Sequence, residues 1–377
     1  MSNLQVLSSD SHIVEPPDLW TSRIDPPFLD RAPHMAIDEE GMARWLVEGD
    51  QPLGSVGAPS QAGLRYENPE DITFEGALED VRPGAFDPTP RTDDLRIDGV
   101  DGEVIYPTIG ARLYTILEPD LLAACFRASN DWLADFCSAN PGLFKGNALI
   151  SLDDVEDGTR ELERCAGMGF RGAMITTYPG DDKQYELPIY EPFWSAAESL
   201  GVVISMHIAS NRPGPGQVSI FTVNGDEEGA ASFSVTQDHW VRRSVASMIF
   251  SGVFERHPAL KVAIVEHELA WAPYFLRTMD WLYTELSQTA PHRFRSGVLP
   301  SDFFRSNVTM SFQQDDIGIR LRDLIGVECL TWGSDYPHAE STWPRSREVL
   351  DDILADVPSD ERRKIVCDNV AGLFGFA

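Results

Sequence analysis

Short apolar segments alternate with amphipathic helical segments along almost the whole chain, and this alternation is the feature that most constrains the fold. Eight apolar segments are flanked by Gly, Pro or Asp and have the length that is typical of parallel strands buried on both faces. They are 6–9, 100–106, 146–152, 172–176, 202–207, 262–266, 307–311 and 329–333. Eight strands that alternate with helices over 377 residues predict an α/β fold, a (β/α)8 TIM barrel in a single domain, 1–377.

A doubly wound open sheet is the alternative architecture for the same alternation of elements. Such a sheet usually carries a glycine-rich phosphate-binding turn after an early strand. Neither a GxGxxG nor a GxxxxGK[ST] pattern occurs in this sequence. The barrel is therefore the favoured prediction.

Two long segments interrupt the alternation, and both follow a predicted strand. Residues 13–99 follow the first strand and are rich in Pro, Gly and acidic residues, whereas residues 209–237 follow the fifth strand and contain PGPG at 213–216. Long insertions after barrel strands lie on the face where barrels place active sites. We predict that 13–99 covers the substrate and that 209–237 acts as a lid, with surface excursions or oligomer contacts as the alternative.

The charge balance excludes several classes of protein. Sixty acidic residues stand against 30 basic ones, which gives a formal net charge of −30 and makes nucleic-acid binding improbable. No apolar run approaches the roughly 18 residues that a membrane helix needs. The first ten residues lack the pattern of a signal peptide, so the sequence predicts a cytoplasmic protein that does not bind membranes.

Metal-ligand residue types occur at the ends of three predicted strands. Asp10 and His12 follow the first strand, His207 ends the fifth, and Asp335 follows the eighth. The two-residue period of a strand places Asp10 and His12 on the same side. Carboxylate and imidazole groups that converge there can chelate a divalent ion, although a hydrogen-bonded pair would explain Asp10 and His12 taken alone.

The sixth predicted strand ends in the sequence EHE at 266–268. Neighbouring strand residues point to opposite faces, so Glu266 and His267 cannot both face inward unless the strand has already ended. One of the two is expected to be a general base or a further ligand, and the other a supporting partner.

The sequence resembles the amidohydrolase-related (amidohydrolase 2) metal-dependent hydrolases, in the branch of aminocarboxymuconate-semialdehyde decarboxylase and the resorcylate-type decarboxylases. The resemblance covers nearly the whole chain and rests on SDSHIVEP at 9–16, DGVD at 98–101, YPT at 106–108, His207 and GSDYPH at 333–338. It implies a barrel that holds a divalent metal at its mouth. The residues of this chain that the resemblance marks as metal ligands are Asp10, His12, His207 and Asp335.

The same resemblance implies roles in catalysis, with two departures from the family pattern. The decarboxylases usually carry His-x-His or Glu-x-His where this chain has Asp10 and His12. The family's catalytic histidine falls on Glu266, with His267 one residue later, so both residues are candidates to move a proton. Asp335 is implied as a ligand that also carries a proton.

The number of ions stays open at the level of sequence. Only four lysines occur, and none lies in the fourth predicted strand, so a pair of ions bridged by a carboxylated lysine is improbable. Glu266, His267 and His239 could still hold a second ion. A dinuclear non-haem iron/manganese oxygenase is therefore one alternative function, and a non-catalytic partner subunit is another.

The favoured function is a metal-dependent decarboxylase or hydrolase for a small carboxylated or aromatic substrate. Zinc or manganese is the expected cofactor, with iron or an iron/manganese pair as the alternative. An anionic substrate needs cations near the site, and the arginines in or near the two insertions are Arg65, Arg112, Arg212 and Arg243. Surface ion pairing is the alternative role for each of them, and a homo- or hetero-oligomer is the expected assembly.

Overall fold

A computed structural model describes residues 4–212, 235–295 and 297–377 of the chain. Its main sheet has eight strands, each parallel to the next, in the order β1-β5-β6-β7-β8-β9-β10-β11. These strands are β1 (Leu7–Ile13), β5 (Gly102–Pro107), β6 (Phe144–Leu149), β7 (Gly172–Ile175), β8 (Val203–His207), β9 (Val262–Val265), β10 (Val308–Phe312) and β11 (Leu330–Trp332). The sequential order of parallel strands confirms the predicted (β/α)8 barrel.

Hydrogen bonds connect the last strand of the barrel, and the segment that follows it, to the first strand. The Ser9 hydroxyl donates to the carbonyl of Trp332 over 3.0 Å. Beyond the end of β11, the Asp335 amide donates to the carbonyl of Asp10 at 2.9 Å, and the His12 amide donates to the carbonyl of Tyr336 at 2.6 Å. The segment after β11 is thus attached to the outer half of β1.

Helices connect the strands on the outside of the barrel. The helices of eight or more residues are Pro88–Asp98, Pro119–Ser138, Val155–Gly167, Glu191–Leu200, Asp238–Phe250, Ala272–Glu285, Pro300–Asn307 and Ser346–Ile353. The shorter α-helices are Leu19–Arg23, Leu64–Glu67, Thr108–Arg112, Val253–Arg256, Asp316–Arg320, Arg322–Ile325, Ser359–Arg363 and Asn369–Phe374, and Lys364–Asp368 is a π-helix. Among the residues described, no helix is both long enough and apolar enough to cross a membrane.

The segment predicted to cover the barrel, 13–99, forms an antiparallel sheet and ends in the first long helix. The sheet consists of β2 (His34–Ile37), β3 (Ala43–Val47) and β4 (Gln51–Ser55). The chain that follows β4 contacts the loop after β11, because the Ala339 amide donates to the carbonyl of Ala58 and the Ala62 amide to that of Pro337. Of the predicted lid, 209–237, residues 213–234 lie outside the described part of the chain.

Candidate metal centre

Four strands deliver polar side chains to one end of the barrel. Asp10 and His12 lie on β1, and His207 is the last residue of β8. Glu266 follows β9 directly, and Asp335 follows β11 after two intervening residues. All of these side chains are buried except that of Glu266, which is 25% exposed.

A local irregularity and a glycine shape the β1 side of this centre. The pairing of β1 with β5 shifts register between Ser8 and Ser11, so β1 continues to Ile13 and includes both predicted ligands. A Cβ atom on Gly333 would lie 2.5 Å from the Cβ of Asp10, a separation that real Cβ atoms do not tolerate. The absence of a side chain at Gly333 lets the loop after β11 approach Asp10 closely.

Glu266 and Asp335 both adopt left-handed backbone conformations, each with φ of 60°. This region is unfavourable for residues other than glycine and occurs mostly at sharp turns and functional sites. At Glu266 the turn ends the strand, so the alternation of faces no longer applies to Glu266 and His267. Because β9 ends at Val265, the strand has already ended before Glu266 and His267. This is the condition under which the sequence allowed both residues to face inward.

The side chains converge on one small region. The Nε2 atoms of His12 and His207 are 3.1 Å apart, and Oδ1 of Asp10 lies 3.5 Å from each of them. Oδ1 of Asp335 is 3.5 Å from Nε2 of His12, and Oε2 of Glu266 is 3.3 Å from Nε2 of His207. Asp10, His12, His207 and Glu266 each offer a ligand atom within 4.8 Å of the others.

These separations fit a divalent ion. Two neighbouring ligands at about 2.1 Å from an ion lie about 3.0 Å apart in octahedral and about 3.4 Å apart in tetrahedral geometry. Within the described chain, Oδ1 of Asp10 is buried and accepts no hydrogen bond. Buried carboxylate oxygens need such a partner, and a set of imidazole and carboxylate donors suits manganese, iron or zinc.

Neighbouring groups orient two of the predicted ligands. Nδ1 of His207 lies 3.1 Å from the carbonyl of Ile208, which leaves Nε2 to face the cluster. Nδ1 of His338 lies 2.9 Å from Oδ1 of Asp335, and its Nε2 lies 3.3 Å from the hydroxyl of Thr108. The ring of His338 also stacks on the ring of His12 at a centroid distance of 4.1 Å.

Burial, together with the neighbouring charges, shifts the pKa values of the side chains in this cluster. Burial and then the negative charges of Glu340 and Asp10 raise the pKa of Asp335 well above its ordinary value. Burial and then the charge of Asp335 raise the pKa of Glu266 in the same way. Burial and then the charge of His338 lower the pKa of His12 to about 3, so the His12 ring is neutral and can act as a ligand.

The structure separates Glu266 from the other two residues predicted for a second ion. His267 is buried, and neither of its ring nitrogens has a hydrogen-bond partner in the described chain. Its pKa is lowered to about 3, chiefly by burial. The ring of His239 packs edge-on against Trp240 at a centroid distance of 4.9 Å. Neither histidine belongs to a ligand group found among the described residues.

Two of the four predicted arginines lie near the mouth of the barrel. Nη2 of Arg65 donates to Oε1 of Gln314 and to the hydroxyl of Tyr66, each over 2.5 Å. The positive charge of Arg65 acts on Asp335 and opposes the rise of its pKa. Nη1 of Arg112 donates to the carbonyl of Leu53 over 3.1 Å, and burial lowers the pKa of Arg112 to about 10.

The other two arginines make contacts further from the ligand cluster. The guanidinium of Arg212 donates to the carbonyls of Tyr114 and Ile116, each over 2.5 Å, and pairs with Asp153. The guanidinium of Arg243 pairs with Asp181 at 2.8 Å and lies over the ring of Tyr178. Whether any of the four binds a substrate stays a prediction.

Glu340 belongs to a potential ligand group, a role that the sequence did not predict for it. One oxygen each of Glu266, Asp335 and Glu340 lies within 4.8 Å of the others. The signal in the sequence was its place at the start of ESTWP at 340–344, which continues the GSDYPH motif, in a chain that is rich in acidic residues. His12, Asp335 and His338 form a further group with the same spacing.

The barrel and the cluster at the ends of its strands define a (β/α)8 protein with a candidate site for divalent ions. The chain belongs to the amidohydrolase family, whose sequence pattern matches residues 20–376. The resemblance that the motifs predicted is thereby confirmed.

Curated proteins resemble this chain in sequence, and solved structures resemble it in fold. The chain is 26% identical over 264 residues to a gamma-resorcylate decarboxylase from Polaromonas sp., an alignment that covers 66% of this chain and 75% of that protein. An amidohydrolase from Mycobacterium avium subsp. paratuberculosis superposes with a TM-score of 0.77 at 22% identity, over 99% of this chain and 100% of the other. A dihydroxybenzoic acid decarboxylase from Polaromonas sp. JS666 was solved with bound manganese and the inhibitor 2-nitroresorcinol. It superposes with a TM-score of 0.67 at 18% identity, over 98% of this chain and 97% of the other.

Proposed function

We propose that the protein is a divalent-metal-dependent decarboxylase of a small aromatic carboxylate, with manganese as its cofactor. The resorcylate decarboxylase relative and the manganese in a structurally similar dihydroxybenzoic acid decarboxylase support this choice of substrate and ion. The donor set of imidazoles and carboxylates suits manganese on independent chemical grounds.

The observation that carries the proposal is the convergence of three ligands from two strands. The two Nε2 atoms of His12 and His207 are 3.1 Å apart, with a buried oxygen of Asp10 at 3.5 Å from both. With Asp335 they form the set that we propose as the metal ligands. When bound, a divalent ion would supply a Lewis acid at the oxygens of the substrate.

Asp335 is proposed as the proton donor of the reaction. In a decarboxylation the bond between the ring carbon and the carboxylate breaks, CO2 leaves, and the electron pair of that bond stays on the ring carbon. A proton held on the carboxyl group of Asp335 would pass to this carbon. His338, whose Nδ1 lies 2.9 Å from Oδ1 of Asp335, is placed to return the proton.

Glu266 and His267 remain the candidates for a second proton transfer. Oε2 of Glu266 is 3.3 Å from Nε2 of His207, which favours Glu266 as the group beside the reacting atoms. The ring nitrogens of His267 are buried and make no hydrogen bond within the described chain, which keeps His267 as the second candidate.

We propose Arg65 as the first contact for the carboxylate of the substrate. Its charge acts on Asp335, which places positive potential beside the proposed proton donor. Arg65 belongs to the segment 13–99, whose contacts with the loop after β11 support its proposed role as a cover. The role of 209–237 as a lid, the cytoplasmic location and the oligomeric assembly stay predictions from the sequence.

Three alternative functions remain as outcomes of the same experiments. A hydrolase would use the same ligands on a substrate with a cleavable carbonyl bond. A dinuclear iron or manganese oxygenase is favoured by one observation, the cluster of Glu266, Asp335 and Glu340 beside the first ligand group. A non-catalytic partner subunit would retain no ion after purification.

The direct test is the release of CO2 from hydroxylated benzoates. Metal-free protein is loaded with Mn²⁺ in D2O and incubated with 2,6-dihydroxybenzoate and related acids. We expect CO2 release together with one deuterium on the carbon that lost its carboxylate. Release by the metal-free protein, or none from any hydroxybenzoate with the Mn²⁺-loaded protein, would contradict the proposal.

Asp335→Asn provides the matching variant for this test. It keeps the size of the side chain but removes both the anionic ligand and the transferable proton. We expect CO2 release to fall by at least about 100-fold, the lower range for loss of a general acid. Asp120→Asn, an exposed position on the helix Pro119–Ser138, is the control and is expected to retain activity.

A further inference from the structure

Two carboxylates fix the turn after β10 to the turn after β9. Asp315 is buried, and its Oδ2 accepts from the backbone amides of residues 269 and 270, each over 2.7 Å. In the opposite direction, Oε1 of Glu268 accepts from the backbone amides of residues 313 and 314 at 3.3 and 3.5 Å. Hydrogen bonds to an ionised acceptor are stronger than those between neutral groups. The backbone that carries residues 313–315 is therefore held in place at the barrel mouth.

This turn brings two glutamine side chains to the candidate site. Nε2 of Gln313 lies 3.5 Å from Oδ2 of Asp335. Oε1 of the next residue, Gln314, accepts from Nη2 of Arg65 over 2.5 Å. Gln314 thus connects the fixed turn after β10 to the segment 13–99, which contains Arg65.

The acceptors of Arg65 in the described chain are uncharged. They are the amide oxygen of Gln314 and the hydroxyl of Tyr66, whose ring also lies under the guanidinium at 4.6 Å. The guanidinium groups of Arg82 and Arg91, by contrast, pair with carboxylates at 2.6 and 2.7 Å. A neutral acceptor orients a guanidinium group and leaves its positive charge uncompensated.

The amide at position 314 matters because a carboxylate of the same length could take its place. Glutamate would accept from Arg65 in the same geometry and would bind it more strongly. It would also cancel the positive charge that an anionic substrate needs, in a protein whose net charge is already −30. A glutamine at this position keeps the orientation of Arg65 without that loss.

We propose that Gln314 is a positioning residue for the carboxylate of the substrate. Its amide oxygen holds the guanidinium of Arg65 at the barrel mouth and leaves the charge of that group to the substrate. Gln314 therefore sets the affinity for anionic ligands, and it has no part in breaking the bond to the carboxylate. The proposal rests on the proposed function, in which Arg65 is the first contact for the substrate.

Two ligands that differ by one carboxylate test this role. They are 2,6-dihydroxybenzoate and resorcinol, the uncharged product of its decarboxylation. With Mn²⁺-loaded protein, KM and kcat are measured for the acid, and the inhibition constant is measured for resorcinol. We expect Gln314→Glu to raise KM by at least about tenfold, because the new carboxylate pairs with Arg65, and to change kcat and the inhibition constant by less than about twofold.

A variant without an acceptor separates orientation from charge. Gln314→Met keeps the length of the side chain and is expected to raise KM by about threefold or more. In an Arg65→Met background the same change should cause no further rise, because the group that Gln314 positions is gone. Gln288→Glu adds a negative charge at an exposed position in the turn Ser287–Thr289, and it is expected to leave all three constants unchanged.

The outcomes distinguish this inference from the proposed function. An unchanged KM in Gln314→Glu would overturn the role of Gln314, and so would an equal loss of affinity for the acid and for resorcinol. An effect of Gln314→Met that persists without Arg65 would do the same. If the unmodified protein releases no CO2, calorimetry gives the Kd of both ligands for every variant instead. A loss confined to the acid would then contradict the proposed function alone.

Discussion

Glu266 and His267 show how one backbone angle decides the role of neighbouring residues. With φ of 60°, Glu266 turns the chain out of β9 and brings its carboxylate to within 3.3 Å of His207. His267 is then buried beside the cluster without being one of its ligands. The choice between these two residues depends on this turn, which strand periodicity alone does not predict.

The roles of these two residues can be separated by isosteric substitution. We expect Glu266→Gln to lower kcat for decarboxylation by at least about 100-fold, because the carboxylate lies beside the proposed ligands. His267→Gln is expected to cost less, and the measurement is kcat and KM for both variants on the same substrate. The reverse order of losses would assign the proton transfer to His267.

Glu15 predicts a pH dependence of stability. Its carboxylate accepts from the amides of Gly110 and Ile109, and burial raises its pKa from 4.5 to about 7. The folded state thus holds a proton that the unfolded state has released above pH 4.5. The contribution of Glu15 to stability is fully present below pH 4.5 and is lost as the pH rises to about 7, at a cost of about 3 kcal/mol.

Glu15→Gln should remove this contribution to the pH dependence. We expect the free energy of unfolding of the variant to fall less than that of the unmodified protein between pH 4.5 and 7. Urea unfolding at four pH values, with chelator present throughout, measures the difference. Glu285→Gln, at an exposed position, serves as the control. If the free energy of unfolding fell equally with pH in the Glu15 variant and in the unmodified protein, the pH dependence could not be assigned to Glu15.

At the scale of elements, Arg91 joins the two segments that carry most of the proposed ligands. Its guanidinium makes a bidentate pair with Glu103 at 2.7 and 2.8 Å, and both side chains are fully buried. It also donates to the carbonyl of His12 at 2.9 Å and lies over the ring of Tyr336 at 4.3 Å. Arg91 is therefore a positioning residue between β1 and the loop after β11.

A double substitution separates the positioning role from simple stability. Arg91→Met alone leaves a buried charge on Glu103 and is expected to cost about 3–5 kcal/mol of unfolding free energy. Adding Glu103→Leu should restore much of that stability but not the affinity for Mn²⁺, for which we expect a loss of about tenfold or more. Full recovery of Mn²⁺ affinity in the double variant would show that Arg91 is only structural.

The elements, and the convergence of the four proposed ligands at one end of the barrel, could be predicted from the sequence, because both follow from local patterns. Buried parallel strands leave apolar runs, and a barrel gathers the residues at their carboxyl ends. Glu340 and Arg91 could not be predicted in this way. Their importance depends on how the loop after β11 folds back on β1, which involves Gly333 and contacts between residues far apart in sequence.

At the scale of the whole molecule, the net charge of −30 makes bound cations a source of stability. One oxygen each of Glu266, Asp335 and Glu340 lies within 4.8 Å of the others at the barrel mouth, and a bound divalent ion would offset the repulsion between their negative charges. Ligand binding to the folded state alone stabilises it by about 2.7 kcal/mol when the free ion is at 100 times its Kd.

Removal of divalent ions should therefore lower the melting temperature reversibly. We expect Mn²⁺ to raise the Tm of chelator-treated protein by several degrees in a concentration-dependent manner, as followed by calorimetry. Asp10→Asn should show a much smaller rise, because it lacks one of the proposed ligands. An equal rise in both proteins would mean that Mn²⁺ acts elsewhere on the acidic surface.

The position of the ion is the central claim, and anomalous X-ray diffraction at the manganese edge tests it most directly. Crystals of the Mn²⁺-loaded protein are expected to show a strong anomalous peak within about 2.3 Å of Asp10, His12, His207 and Asp335. No peak among these four side chains, with Mn²⁺ bound elsewhere or absent, would contradict the account.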